Sequence, residues 1–450
     1  MTFPRYPEYK DSGVEWLGEV PAHWDVEPCR AVFTERSERN DPLVNEDYLS
    51  LMANVGVIPY ADKGDVGNKK PEDLTKCKLV FTGDLVINSM NYGIGSYGLS
   101  SYTGICSPVY IVLKPKLERI EERFAFRILE NKAFQGFAQS HGNGILEHRA
   151  AINWDILKGI GVPLPPVQEQ QAILQLLDHE TAKIDALVAE QEKLIALLQE
   201  KRQAVISHAV TKGLDPNVPM KDSGVEWLGE VPAHWEIRRV RALSSFLTSG
   251  PRGWSERVSE VGSKFIQSGD LTDDLSIAFD NAKRVAVNDD AEAARTKLAD
   301  GDVVVCITGA KTGNVAVCGT VAEDAYVNQH LCLIRPRPDI LSDLLAIYLK
   351  SDAGQRYFAV AQYGLKQGMS LENIKEAPVP VPPIDEQRQI VDVAQDASRS
   401  IGALVNEART AITLLQERRT SLISAAVTGQ IDVRGLAGAS NAPDSIAVSA

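Results

Sequence analysis

The chain has 450 residues, 44% of them hydrophobic, with a formal net charge of −13 at pH 7. This balance supports folded cores rather than disorder, and the length allows about three domains of ordinary size. No run of about 18 apolar residues exists to cross a bilayer, the N-terminal MTFPRYPEYKDSG is not a secretory signal, and the acidic average taken alone argues against a surface that grips phosphates.

The first element in chain order is a repeat. KDSGVEWLGEVPAHW at Lys10–Trp24 returns unchanged at Lys221–Trp235, 211 residues later. Fifteen identical consecutive residues do not arise by chance, so the protein reads as two copies of one unit. A variable region follows, over residues 25–161. It holds a Gly-Asp step into an apolar run (GDLVIN, Gly83–Asn88), a glycine-rich loop (NYGIGSYG, Asn91–Gly98), an apolar run ending in Lys-Pro (VYIVLKP), a helical stretch (FAFRILENKAFQGFA) and a polar loop (SHGNGI).

Residues 162–213 open with VPLPPVQEQ and continue as a long helix. Ile173, Leu177, Ile184, Val188, Ile195, Leu198 and Val205 recur at steps of three, four or seven, the spacing of a heptad seam,. Pro165-Pro166 stops the preceding element and suits a first helical turn. Gly213 ends the helix, with Pro216 beyond it,. The second repeat copy occupies residues 214–235. A second variable region, 236–377, shows the same skeleton in a different sequence: GDVVVCI (Gly301–Ile307), TGAKTGN (Thr308–Asn314), HLCLIRP, LLAIYLKSDAGQRYF and YGLKQG. VPVPPIDEQ then opens residues 378–430, and an offset of 217 carries the seam onto Ile390, Ala394, Ile401, Val405, Ile412, Leu415 and Leu422. Residues 431–450 read as a small, polar, flexible tail. The predicted fold is α+β: two globules of one fold, separated by two long helices that pair as an antiparallel coiled coil with internal pseudo-two-fold repetition.

No catalytic residue and no metal site is predicted. Gly93, Gly95 and Gly98 fit a dinucleotide-loop spacing, but LSSYTGICSP after them is a poor helix, and such a site needs a helix N-terminus for the pyrophosphate. TGAKTGN lacks the Gly-Lys-Ser/Thr of a phosphate loop. The six cysteines are scattered, without a C-x-x-C pair, and suit buried reduced thiols in a cytoplasmic protein. His23 and His234 lie inside the exact repeat and suit packing or capping. Basic and amide side chains gather in the loops of both variable regions, and such groups can meet a nucleic-acid backbone and base edges.

The duplicated D-S-G-V-E-W-L-G-E-V-P-x-H-W, the two variable globules and the two long helices introduced by P-L/V-P-P-x-x-E-Q closely resemble the specificity subunit of type I restriction–modification systems. The resemblance covers about residues 6–435. It implies that each globule is a target recognition domain reading one half of a bipartite, asymmetric double-stranded DNA site. It also implies that the helices fix the unread spacer and dock two modification methyltransferase subunits. The chain itself would bind no cofactor and perform no chemistry. S-adenosylmethionine would belong to the modification subunits, and ATP with Mg to restriction subunits joining the complex. Loop position and side-chain chemistry select Lys69, Lys70, Asn91, Tyr92, Ser96, Tyr97, His141 and Asn143 as DNA-binding candidates in the first globule. In the second they select Arg252, Lys311, Thr312, Asn314, Lys366 and Gln367. The second reading is a coiled-coil interaction adaptor without DNA readout.

Overall fold

The computed structural model describes residues 3–66, 69–142, 151–362 and 368–435. They fall into two compact units. Unit 1 holds Met1–Glu190 and Ala411–Ala450, and unit 2 holds Gln191–Thr410.

In unit 1 the first repeat copy is a hairpin. Strand β1 (Tyr9–Asp11) pairs antiparallel with β2 (Glu19–Pro21). Its connection turns at Gly13 and Gly18, with φ of 69° and 65°, a region that glycine enters without a Cβ penalty. The Asp11 carboxylate accepts the Gly13 N–H and helps to set that turn. Strand β3 (Asp25–Pro28) then pairs with β10 (Gly161–Leu164), which ties the two ends of the first variable region together.

Between those ends lies a four-stranded antiparallel sheet, ordered β4 (Phe33–Glu35), β9 (Tyr110–Pro115), β7 (Leu85–Asn88), β8 (Tyr97–Leu99). Side chains alternate across a strand, and here both faces are covered. Leu85, Ile87, Ile111 and Leu113 join one core with Phe124, Ile128 and Phe134. The last three come from helices α1 (Glu122–Glu130) and α2 (Lys132–Ser140). Val86, Tyr110 and Val112 face the other way. They meet Leu49, Leu51 and Val57 of a hairpin made by β5 (Leu49–Met52) and β6 (Gly56–Pro59). Burial on both faces explains why GDLVIN is a continuous apolar run rather than an alternating one.

Unit 2 repeats this plan. Strands β11 (Met220–Asp222) and β12 (Glu230–Pro232) form the second repeat hairpin, and β13 (Glu236–Arg239) pairs with β18 (Pro378–Val381). The main sheet runs β14 (Ser244–Ser249), β17 (Leu331–Pro336), β15 (Val303–Cys306), β16 (Val315–Val317), the same order as in unit 1. Helices α4 (Ser342–Lys350) and α5 (Asp352–Ala361) cover one face. The other face meets Ile266 and Val327 of an additional four-stranded sheet that the first globule lacks among its described residues.

The long helices are α3 (Val167–Lys212) and α6 (Ile384–Val427). In unit 1 the core includes Ile173, Leu174 and Leu177 of α3 together with Leu422, Ile423 and Ala426 of α6. In unit 2 it includes Ala209 and Val210 of α3 with Ile390, Val391 and Ala394 of α6. Of the predicted seam, Ile173, Leu177, Ile184, Ile390, Ile401, Val405 and Leu422 are buried. Val188, Ile195, Leu198, Ile412 and Leu415 are half-buried. One expectation is corrected. The stretch from residue 431 begins as packed structure, because Ile431 and Val433 are core residues of unit 1. Residues 436–450 lie outside the described residues.

Candidate nucleic-acid interface and its frame

Each E-Q pair at the head of a long helix performs two separate tasks. In unit 1 the Glu169 carboxylate accepts hydrogen bonds from Trp24 Nε1 at 2.9 Å and Tyr6 OH at 2.8 Å, and pairs with His23 Nε2 at 2.7 Å. In unit 2 Glu386 accepts from Trp235 Nε1 at 3.1 Å and pairs with His234 Nε2 at 2.8 Å. The glutamate therefore holds the closing His-Trp of the repeat. The glutamine holds the globule. Gln170 accepts the Glu121 N–H at 2.8 Å and donates to the carbonyls of Pro165 and Arg119. Gln387 accepts the Leu341 N–H at 2.9 Å and donates to the carbonyls of Pro382 and Asp339.

Within unit 1 the N-terminal repeat copy packs beside the C-terminal end of α6. Tyr9 OH donates to the Gly429 carbonyl, and Asp432 N–H donates to that of Pro4. The Arg434 guanidinium lies over the Tyr6 ring, 4.8 Å from its centroid. Gly429 has φ 76°, and a Cβ there would meet the Pro21 ring at 2.3 Å.

Burial works to raise the pKa of Glu169, but the hydrogen bonds from Trp24, Tyr6 and His23 outweigh it and hold the carboxyl below its ordinary 4.5. A carboxyl depressed in the folded state gives stability that is present above its unfolded value and lost as pH falls through the folded one. Unit 1 should accordingly lose stability on acidification below about pH 4.5, and Glu169→Gln should flatten that acid limb. Urea melts of both proteins between pH 3 and 7 check this, and parallel acid limbs would contradict it.

The Gly-Asp steps are also structural. Gly83 and Gly301 have φ of 87° and 79°. Asp84 accepts from Arg36 Nε at 2.7 Å, from its Nη2 at 3.1 Å and from the Phe81 N–H. Asp302 accepts from Arg335 Nε and Nη2 at 2.8 and 2.7 Å and from the Ala299 N–H. The two arginines come from different strand positions, which hid this pairing from a comparison of the two sequences.

The DNA-binding candidates separate into four groups. Lys69, Lys70, Asn91, His141, Arg252 and Lys311 are exposed. Three of these are tethered: Lys70 donates to the Glu46 carbonyl, His141 Nδ1 lies 2.9 Å from the Phe137 carbonyl, and Lys311 reaches Gly269 O at 3.5 Å. Thr312 and Tyr97 are half-buried, the latter between the Tyr92 and Phe126 rings. Two candidates are corrected outright. Tyr92 is fully buried and donates its OH to the Leu129 carbonyl at 2.6 Å. Asn314 is buried, donating to Leu271 O and accepting from Lys350 Nζ. Both stand in glycine-rich loops that read as surface, yet each turns its side chain inward to fill the gap beside small residues. Ser96 is buried too, but opens onto a cavity. Asn143, Lys366 and Gln367 lie outside the described residues.

Among the described residues no group of His, Cys, Asp and Glu could hold a metal ion, and no helix is long and apolar enough to cross a membrane. All six cysteines are buried and unpaired. Burial pushes the Cys106 and Cys318 thiols up to about 12.

Comparison with known proteins gives one consistent result. The family model described as type I restriction modification DNA specificity domain matches residues 43–196 and 235–413. The EcoKI specificity subunit of Escherichia coli K12 is 25% identical over 92% of this chain and 90% of its own length. The putative MjaX specificity subunit of Methanocaldococcus jannaschii is 21% identical over 93% and 96%. A chain solved in a study of type I R-M complex assembly and conformational transition superposes with a TM-score of 0.68 at 15% identity, covering 92% of this chain and 99% of the other. The HsdS subunit of Thermoanaerobacter tengcongensis gives 0.50 at 16% identity over 92% and 98%. These two likenesses concern the fold. The family model matches once in each half of the internal repeat and together over more than half of the chain, so the chain belongs to the type I restriction modification DNA specificity family.

Proposed function

We propose that this chain gives a type I restriction–modification enzyme its DNA sequence specificity, with each globule reading one half of a bipartite site and the chain itself performing no chemistry. The observation that carries this is the pairing of sameness and difference. Both units use one sheet order and one E-Q joint, while their loops carry unrelated side chains. Two readers of one design with different faces suit two different half-sites, by the same geometric logic that links dimeric readers to half-site spacing. S-adenosylmethionine would be bound by the modification subunits, and ATP by restriction subunits.

The long helices would pair antiparallel, fix the unread spacer and dock two modification subunits. Supporting the pairing, the start of α3 shares a core with the end of α6 in unit 1, and the end of α3 shares one with the start of α6 in unit 2. Supporting two identical partners, exposed leucines recur at the repeat offset: Leu187 and Leu414 in unit 1, Leu404 and Leu197 in unit 2. Solvent-facing leucines on an otherwise polar helix are the kind of apolar patch that marks a protein contact.

Sequencing that maps methylated adenines, in cells expressing this chain with its modification partner, is expected to reveal one bipartite asymmetric motif. Replacing residues 236–377 with another globule should change one half of that motif and leave the other. The double variant Leu187→Asp, Leu414→Asp should retain one modification subunit per chain by native mass spectrometry. An unchanged two-to-one complex would remove the docking assignment. A genome without any motif dependent on this chain would favour the adaptor reading.

A further inference from the structure

The first globule contains a cavity of mixed polar and apolar lining, about 230 Å³, at one end of its main sheet, walled in part by Tyr48 and Tyr110. Four of its lining residues are polar and almost fully buried: Ser50 and Lys63 are each 8% exposed, Asn88 7% and Ser96 4%. The carbonyl oxygen of the Asn88 side chain accepts the Met90 N–H. Its amide nitrogen has no partner among the described residues, and neither do the Ser50 and Ser96 hydroxyls. None of these three atoms is sealed from solvent, since the buried orphan atoms among the described residues lie at Trp227, Tyr348 and Arg419. They are therefore open to the cavity. The Lys63 ammonium donates to the Val66 carbonyl at 2.5 Å and sits 4.8 Å from the Tyr60 ring centroid, leaving two further protons to donate,.

The second globule shows that this arrangement is not a by-product of the fold. By strand register Asn88 corresponds to Cys306 and Ser96 to Asn314. There the Cys306 thiol donates to the Thr308 carbonyl, and Asn314 is satisfied by Leu271 and Lys350. One unit closes the position with internal hydrogen bonds, and the other leaves it open and polar. Polar atoms that the fold leaves unpaired on a cavity wall keep their hydrogen-bonding capacity for what enters the cavity.

A duplex groove is read by a protruding element, a helix or a β-ribbon. It cannot place a base edge against atoms recessed in a concave cavity. A nucleobase turned out of its stack can. We propose that this cavity receives one nucleobase extruded from the half-site that unit 1 reads. This rests on the DNA-reading function above and adds a mechanism to it. The lining offers more donors than acceptors: the Asn88 amide, the Lys63 ammonium and two hydroxyls, with the Asn88 carbonyl already used. It therefore suits a base bearing a carbonyl oxygen, guanine, thymine or cytosine, over adenine, which has none.

The test uses the assembled complex of this chain with its modification subunits and duplexes carrying the mapped site. At each position in turn one base is kept and the base opposite is changed to a mismatch. Mismatching removes the pairing that extrusion must break, whereas it disturbs a base read in the groove. The expected result is binding about tenfold or more tighter at one guanine, thymine or cytosine, distinct from the methylated adenines that the modification subunits would extrude themselves. With Asn88→Leu, that gain and the preference for that base should both vanish, while the other half-site is still required. If every mismatch outside the methylated adenines weakens binding or leaves it unchanged, and the intact site is still bound specifically, the cavity assignment is overturned and DNA reading stands. If the complex does not discriminate the mapped site at all, DNA reading by this chain falls and the assignment falls with it.

Discussion

Replacing Asp84 by alanine is expected to destabilise unit 1 by about 3–5 kcal/mol, the usual consequence of removing one partner from a buried ion pair. The Asp84 side chain is 3% exposed and that of Arg36 13%. Truncation would leave a guanidinium with two lost hydrogen bonds and the Phe81 N–H without its acceptor. Glu38 is too exposed, at 63%, to replace the lost carboxylate. Asp84→Asn should fall between wild type and alanine, because it can keep the Phe81 bond while losing the charge. Asp302→Ala in unit 2 should cost less, since Arg335 is 40% exposed and water can solvate it. Urea unfolding followed by tryptophan fluorescence measures all three. Equal losses for Asp84→Ala and Asp302→Ala would show that burial of the arginine does not set the size of the effect.

Trp24→Ala should cost unit 1 a similar amount, about 3–5 kcal/mol, because a fully buried indole leaves a cavity that its surroundings only partly fill. Trp24 is 0% exposed and stands edge-on to Tyr6, with ring centroids 5.9 Å apart. Its loss also removes a donor from Glu169. Trp24→Phe separates the two contributions: most of the burial survives but the N–H does not, so a loss of about 1–3 kcal/mol is expected. Trp235→Ala should act in the same way on unit 2, where the ring is equally buried. Hydrogen exchange gives the sharper readout. Protection should fall within the unit carrying the substitution and hold in the other. Uniform loss across both units would contradict the independence that their separate cores imply.

Much of this organisation was legible in the residues. The exact duplication announced two units, and heptad spacing announced two long helices, because both signals are local and periodic. The P-P-x-x-E-Q motif was visible as a signature, but the division of labour between Glu169 and Gln170 was not. Their partners lie up to 163 residues away or are backbone atoms with no letter of their own. The surface candidates fared less well. Tyr92 and Asn314 stand in loops whose composition reads as exposed, yet tertiary packing turned both inward. The same loop rule overlooked Ser50 and Asn88 on strands and Lys63 at the end of a short helical turn, since such a position says nothing about which cavity its side chain borders. The paired arginines of the Gly-Asp steps were hidden because unit 1 draws Arg36 from just beyond β4 and unit 2 draws Arg335 from β17.

The glutamine joint has a consequence for how such proteins can change over generations. Among the described residues, the hydrogen bonds of Gln170 to the first globule run to the carbonyl of Arg119 and the N–H of Glu121, and those of Gln387 to the second run to Asp339 O and the Leu341 N–H. Every amino acid but proline offers both groups. A foreign globule that brings its chain through the same path would meet this joint whatever its side chains, so the matching a new reading head needs is confined to the apolar positions where the helices enter its core, such as Ile173, Leu174 and Leu177.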